Sequence, residues 1–156
     1  MAGNIEARLR EQGIELPSPS APGAEYVPFV RAGNLIFLSG QLCHWNGERR
    51  FIGKVGREFG LEEGRQAARL CALNLLAQLR AALEGDLDRV ANCVSVRGFV
   101  NATPEFLDHP KVVNGASELF VSVFGEAGRH ARTAIGAGGL PYGVAVEVDA
   151  VFAVAK

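Results

Sequence analysis

The most regular pattern in the chain predicts one long amphipathic helix over residues 61–83. Apolar side chains recur there at spacings of three and four residues, and most charged side chains fall elsewhere on the helical wheel. Gly85 follows where a helix C-cap is expected. The predicted buried stripe comprises Ala68, Cys71, Ala72, Leu75, Leu76, Leu79 and Leu83.

Shorter apolar segments before this helix predict strands. Residues 26–31 and 35–39 are rich in Val, Phe, Ile and Leu, and Ala32-Gly33-Asn34 between them predicts a hairpin. Residues 50–55 are a candidate third strand.

The second half of the chain adds one helix and three strands to the prediction. Residues 90–100 alternate, which is typical of a half-buried strand with Val90, Val94, Val96 and Val100 on one face. A less regular helix is predicted over residues 111–124, and Thr103-Pro104 upstream offers an N-cap followed by proline. Residues 133–137 and 144–154 predict two closing strands around a turn at residues 140–143.

The order of these elements predicts a two-layer α+β sandwich, with two helices on one face of a mixed or antiparallel sheet. One face of the last strand carries Val144, Val146, Val148, Ala150, Phe152 and Val154. The other face is also largely apolar, with Ala145, Val151 and Ala153. Because a sheet that is apolar on both faces must be covered twice, we expect the uncovered side to pack against other copies of the chain.

The N-terminal region is expected to flank this domain. Residues 5–12 carry the pattern of a short amphipathic helix that ends at Gly13, and the proline-rich residues 17–23 predict an extended connector. The predicted division is therefore a helix and connector over residues 1–22 and an α+β domain over residues 23–156.

Composition and charge narrow the classes of function. The 156 residues are 48% hydrophobic, and 16 basic against 17 acidic residues give a formal net charge of −1. This balance disfavours nucleic-acid binding, which requires a surplus of Lys and Arg. The three cysteines match neither a disulfide framework nor a zinc site, which favours a cytoplasmic location. No signal peptide or membrane span is predicted, and no membrane partner is expected.

The common catalytic motifs are absent, and two charged residues remain as candidates. The sequence has no phosphate-binding loop, no GxSxG elbow and no HExxH motif. Arg132, at the start of a predicted strand, could bind a carboxylate in bidentate fashion, although a surface arginine is the alternative. Glu147 lies in a very apolar segment, where burial would raise its pKa and suit it to general acid or base catalysis. A solvent-facing glutamate is the alternative there.

The spacing of these two residues qualifies any joint role. A tight turn near Pro141 would pair Glu147 with Gly136 and leave Arg132 roughly 13 Å away along its strand. A wider loop, or residues from different subunits, would be needed to bring them together.

The remaining polar candidates are weaker. His44, His109 and His130 are interpreted as satisfied or solvated histidines, and His130 could assist Arg132. Cys43 has no evident basic partner and is interpreted as a small core or rim residue.

Most of the chain, residues 26–154, resembles the RidA/YjgF family, also known as L-PSP endoribonuclease-like proteins. The resemblance rests on residues 33–41, on the helix with Asn74-Leu75, and above all on Arg132, Leu140-Pro141 and Val146-Glu147-Val148. It implies a chorismate-mutase-like fold, a homotrimer with ligand clefts between subunits, and cofactor-independent hydrolysis of 2-imino or 2-enamino acids to 2-keto acids and ammonia.

The resemblance also implies roles for individual residues. Arg132 would bind the substrate carboxylate and Glu147 would position or activate water, while Ser39 and Gly40 would line the cleft. The pocket tyrosine would be Tyr26, with Phe29 competing for that place. The pocket asparagine would correspond to Ser117 or to Asn114.

Some positions depart from the family pattern and indicate a divergent subgroup. Ala134 stands where many deaminase members carry a cysteine, and Arg129-His130-Ala131 replaces a proline-containing lead. A non-catalytic protein that binds carboxylate metabolites is therefore the alternative function. A ribonuclease, suggested by the family's name, is disfavoured by the charge balance.

Overall fold

The computed structural model describes residues 3–21 and 24–155. Its centre is a five-stranded sheet in the order β1-β2-β7-β5-β6, in which β5 and β6 are parallel and all other neighbours antiparallel. A separate small hairpin is formed by β3 and β4. The strands are β1 Phe29–Ala32, β2 Leu35–Leu42, β3 His44–Trp45, β4 Glu48–Arg49, β5 Val90–Asn101, β6 Ala131–Ala137 and β7 Val146–Val154.

Two helices, α2 Leu61–Ala82 and α3 His109–Phe124, pack on one face of this sheet, as the sequence predicted. The buried side of α2 continues through Leu79 and includes the polar Asn74 and Gln78. Its first turn is closed by the Glu63 carboxylate, which accepts a hydrogen bond from the Gly60 backbone N–H at 2.7 Å. The predicted mixed sheet with two helices on one face is confirmed.

The second of these helices begins at His109, two residues before the predicted start at residue 111, and Thr103-Pro104 is not its N-cap. Thr103 instead opens a turn, because its carbonyl accepts a hydrogen bond from the Phe106 N–H at 3.1 Å. Pro110 lies in the first turn of α3, where a missing N–H costs nothing.

The closing strands do not form the hairpin that their order suggested. In the sheet β5 lies between β6 and β7, parallel to β6 and antiparallel to β7. The connection from β5 to β6 runs through α3, which is the crossover that parallel neighbours require.

Two further details differ from the sequence patterns. Residues 50–55 form no strand and make only isolated bridges, from Ile52 to Val144 and from Val55 to Phe59 and Ala102. In β5 the register shifts near Cys93, so that Cys93 is buried and Val94 leaves the predicted buried row.

The sheet has one covered face and one open face. Val146, Val148, Ala150, Phe152 and Val154 of β7 are buried under the helices, as predicted. Strand pairing places the alternate residues on the face that no described helix covers. That open face contains the half-exposed Val30, Phe37 and Ile135 beside Phe99 and Val151, and a bidentate ion pair between Arg97 and Asp149 at 2.7 and 3.0 Å.

The N-terminal helix α1 Asn4–Glu11 packs against α3 and the segment after α2. Leu9 is almost completely buried and belongs to the hydrophobic core. The Arg8 guanidinium donates to the Val123 carbonyl at 2.7 Å. The predicted domain boundary at residues 22 and 23 lies outside the described residues.

Candidate functional site

Arg132 is held against the first half of α3 by three hydrogen bonds. It lies in the edge strand β6 opposite the buried Val96, so its side chain faces the helices. Its Nη1 donates to the Asn114 Oδ1 at 2.7 Å and to the Ser117 Oγ at 3.2 Å, and its Nη2 donates to the Pro110 carbonyl at 3.3 Å. A guanidinium has five N–H donors, so the Nε–H and one Nη2–H have no acceptor among the described residues.

The half-buried His130 extends this network behind Ser117. Its Nδ1 lies 2.6 Å from the Gly128 carbonyl, and its Nε2 lies 2.8 Å from the Ser117 Oγ. Since a carbonyl can only accept, Nδ1 carries the proton and Nε2 accepts from the serine hydroxyl. Burial lowers the pKa of His130, and the nearby Arg132 charge adds to this effect. His130 is therefore a neutral support for the Ser117 and Arg132 pair.

Glu147 lies on the open face, where Gly40 makes room for its carboxylate. Gly40 falls in a bulge of β2, and a side chain at this position would collide with the Glu147 Oε2. Burial raises the pKa of Glu147, and the neighbouring Asp149 raises it further. This half-buried carboxyl group thus suits proton transfer near neutral pH better than an exposed glutamate would.

Within one chain Arg132 and Glu147 do not meet. Arg132 lies beside Val96 of β5, and Val96 lies beside Ala150 of β7. Glu147 comes three residues before Ala150 in β7, and its side chain points to the opposite face of the sheet. Two strand spacings and three residues along the strand place their Cα atoms about 14 Å apart. A joint site would need residues from more than one copy.

Tyr26, Ser39 and Gly40 line one cleft of about 210 Å³, close to the end of β7 that bears Glu147. Phe29, the alternative to Tyr26, packs against the core instead. The Ser39 hydroxyl donates to the Val27 carbonyl at 2.6 Å, which anchors the segment that carries Tyr26. Ser117 and Arg132 lie in a separate depression with His130.

A family model described as "YjgF/chorismate mutase-like, putative endoribonuclease" matches residues 6–153. The chain belongs to the RidA/YjgF family. It is 47% identical over 150 residues to Protein TCP17 of Trypanosoma cruzi, which covers 96% of this chain and 93% of that protein.

Solved structures match most of the chain. Atu1372 from Agrobacterium tumefaciens, a protein of unknown function, is 45% identical, with a TM-score of 0.89 and coverage of 97% of this chain and 94% of that one. An endoribonuclease-like protein of Shewanella oneidensis is 33% identical, with a TM-score of 0.93 and coverage of 96% and 99%. At 23% identity and a TM-score of 0.63, Escherichia coli TdcF, solved with bound serine, shares the fold over 89% and 94% of the two chains.

In this RidA/YjgF chain the sequence interpretation did not place several of the residues that line the cleft. Gln41, His44, Arg49 and Tyr142 line it beside the predicted residues. The turn at residues 140–143 was visible as a signal, but nothing local to Arg49 indicated that it would lie against that turn. Its guanidinium carbon stands 3.5 Å from the centre of the Tyr142 ring.

The other candidates have structural roles or lie apart. All three cysteines, Cys43, Cys71 and Cys93, are free and buried. A hydrogen bond with the Cys71 thiol lowers the pKa of Cys43 to about 7, but the Cys43 side chain is not accessible to solvent. His109 packs edge-on against Phe106. Over residues 3–21 and 24–155, no group of three potential metal ligands occurs, and no helix is long and apolar enough to cross a membrane.

Proposed function

We propose that this protein hydrolyses reactive 2-imino and 2-enamino acids at clefts formed between copies of the chain, in a homotrimer. Water adds to the imine carbon, the C=N bond is replaced by C=O, and the nitrogen leaves as ammonia with both protons of the water. The imine carbon is already electrophilic, so the protein has to orient it and move protons, which requires no cofactor.

The observation that carries the proposal is the hydrogen bonding of the Arg132 guanidinium. Three of its donors are occupied by α3, which fixes the plane of the guanidinium. The two remaining donors, on Nε and Nη2, form the pair that a carboxylate accepts in bidentate fashion. A substrate carboxylate would therefore bind without displacing the internal hydrogen bonds.

Glu147 is the proposed proton-transfer residue. As a carboxylate it accepts a proton from the attacking water, and as an acid it returns a proton to the departing amine. Its raised pKa makes the protonated form easier to reach than it is in an exposed glutamate.

The open face of the sheet supports a site shared between copies. One end of β2 and β7 bears Ser39, Gly40 and Glu147, and Tyr26 lines the same cleft. Arg132 lies in β6, at an edge of the sheet. The exposed apolar side chains between them, such as Phe37 and Ile135, would be buried by a neighbouring copy. The bound serine of TdcF supports small-molecule binding on this fold.

A carboxylate-binding protein without catalysis is the second candidate. The observation in its favour is Ala134, which faces the helices two residues after Arg132 and supplies no thiol there. Such a protein would use the same Arg132 donors but would not accelerate hydrolysis.

The test is the rate of ammonia and keto-acid release from imino acids generated in place by an amino acid oxidase. The wild type should exceed the spontaneous rate. Arg132→Ala should lower kcat/KM about 100-fold, Arg132→Lys should recover little of this loss, and Glu147→Gln should lower kcat about 100-fold. The exposed Arg10 on α1 provides a control, since Arg10→Ala should leave the rate unchanged.

Two results would contradict the proposal. An Arg132→Ala protein with wild-type acceleration would remove the carboxylate role of this residue. Thermal stabilisation of the wild type by keto acids, together with no acceleration for any imino acid tested, would favour the binding protein instead.

A further inference from the structure

Arg49 is a cation of the cleft that has no acidic partner. It lies in β4 and is exposed at the cleft, with no carboxylate within 4 Å among the described residues. Two other arginines differ in this respect, because Arg50 pairs with Glu48 at 3.6 Å and Arg97 pairs with Asp149 at 2.7 Å. An arginine that lines a concave site without a counter-ion favours an anionic ligand there.

The position of Arg49 is fixed by stacking and by the backbone behind it. Its guanidinium stacks on Tyr142, whose backbone adopts the left-handed conformation with φ of 59°. The turn that bears Tyr142 is tied to the segment after β4, because the Gly53 N–H donates to the Gly143 carbonyl at 2.8 Å. A stacked guanidinium keeps its N–H edge available for a carboxylate, which a mobile lysine would not do.

The other polar groups that line the cleft are neutral. The Gln41 amide is engaged with Ser20 at 3.5 Å and with the Ser39 carbonyl at 3.4 Å. Burial and the nearby Arg49 both lower the pKa of His44, so the imidazole is uncharged, and its Nδ1 is buried without a partner among the described residues. Glu147 is an acid near this cleft, with its carboxylate against Gly40.

We propose that Arg49 binds a carboxylate of the ligand in this cleft, which makes the cleft selective for ligands with two carboxylates. This binding role stands on the geometry of Arg49 and Tyr142. We further infer that the ligand is an acidic 2-imino acid, whose 1-carboxylate binds Arg132 and whose side-chain carboxylate binds Arg49. This assignment of the ligand rests on the proposed function. The volume of about 210 Å³ suits a small metabolite of this kind.

Calorimetric titration with 2-oxoglutarate and 2-oxopentanoate tests the binding role. Both probes have five carbons and one 2-keto acid group, and only 2-oxoglutarate carries a second carboxylate. We expect the wild type to bind 2-oxoglutarate about tenfold more tightly at low ionic strength. Arg49→Ala should remove this preference, whereas Arg49→Lys and Tyr142→Leu should reduce it.

Arg50 supplies the matched control, because it follows Arg49 but lines a different depression with Trp45 and Phe51. Arg50→Ala should keep the tenfold preference. A wild type without preference, a wild type that binds neither probe, or an Arg49→Ala protein that keeps the preference would overturn the proposal.

Turnover separates this inference from the proposed function. The imino acid made from glutamate carries the terminal carboxylate, and the imino acid made from norvaline lacks it. Preferential hydrolysis of the glutamate product, lost in Arg49→Ala, supports both proposals. Equal hydrolysis of the two imino acids overturns the role of Arg49 and leaves the deaminase standing. Selective binding without any turnover supports Arg49 and contradicts the deaminase.

Discussion

At the scale of single residues, Glu147 combines a favourable position for chemistry with a cost in stability. Its carboxylate is half-buried against Gly40 and close to Asp149, and both burial and that neighbouring charge disfavour the ionised form. The folded state therefore holds the Glu147 proton more tightly than the unfolded chain does.

This linkage predicts how Glu147→Gln changes stability with pH. A raised carboxyl pKa stabilises the fold at low pH, and this contribution is lost as pH rises through the folded value. The glutamine variant has no charge to desolvate, so its Tm should exceed that of the wild type at pH 8. The difference should shrink towards pH 4, as followed by thermal melts across the range. An advantage that stayed constant with pH would show that ionisation of Glu147 is not the cause.

At the scale of elements, α1 depends on its contacts with the rest of the chain. A helix of eight residues is not stable by itself in water. Here the Asp88 carboxylate accepts hydrogen bonds from the backbone N–H groups of Asn4 and Ile5, at 3.0 and 2.8 Å. Leu9 is buried in the core, and the Arg80 guanidinium lies 3.4 Å from the Glu6 carboxylate.

Asp88→Ala should release α1 before it affects the sheet. Loss of a carboxylate that binds the N-terminus of a helix costs about 1 kcal/mol. Hydrogen exchange should therefore accelerate for amides of α1 and stay slow in α2. The Ile5 N–H lowers the pKa of Asp88, so this stabilisation is present above the ordinary pKa of aspartate and is lost as pH falls through the lowered value. Glu105→Ala, in an exposed turn, is the control, and equal acceleration in both variants would contradict the role of Asp88.

At the scale of the whole molecule, the sequence alone predicts local elements well and the order of strands in the sheet poorly. The periodicity of α2 fixes its bounds to within one residue, because helical burial is a local property of the sequence. The position of β5 between β6 and β7 depends on contacts between residues far apart in the sequence. Without that information, the turn at Pro141 resembled the turn of a hairpin between β6 and β7. Arg49 was missed for the same reason, since separate chain segments build its cleft.

The open face of the sheet leads to a prediction about assembly. Phe37 is 45% exposed near the middle of that face, between Val30 and Val151. If three copies bury this face, the wild type should sediment at about three times the chain mass of 16.6 kDa. Phe37→Lys would place a charge inside the contact and should shift the protein to the monomer mass while its circular dichroism stays unchanged.

The same variant tests whether the site is shared between copies. Because Arg132 and Glu147 of one chain lie on opposite faces of the sheet, the monomeric Phe37→Lys protein should lose deaminase activity although both side chains are present. Leu107→Lys is the matched control, since Leu107 is 77% exposed in the loop before α3 and should tolerate a charge. A Phe37→Lys monomer with full activity would require the catalytic groups to meet within one chain, which the register of β5, β6 and β7 opposes.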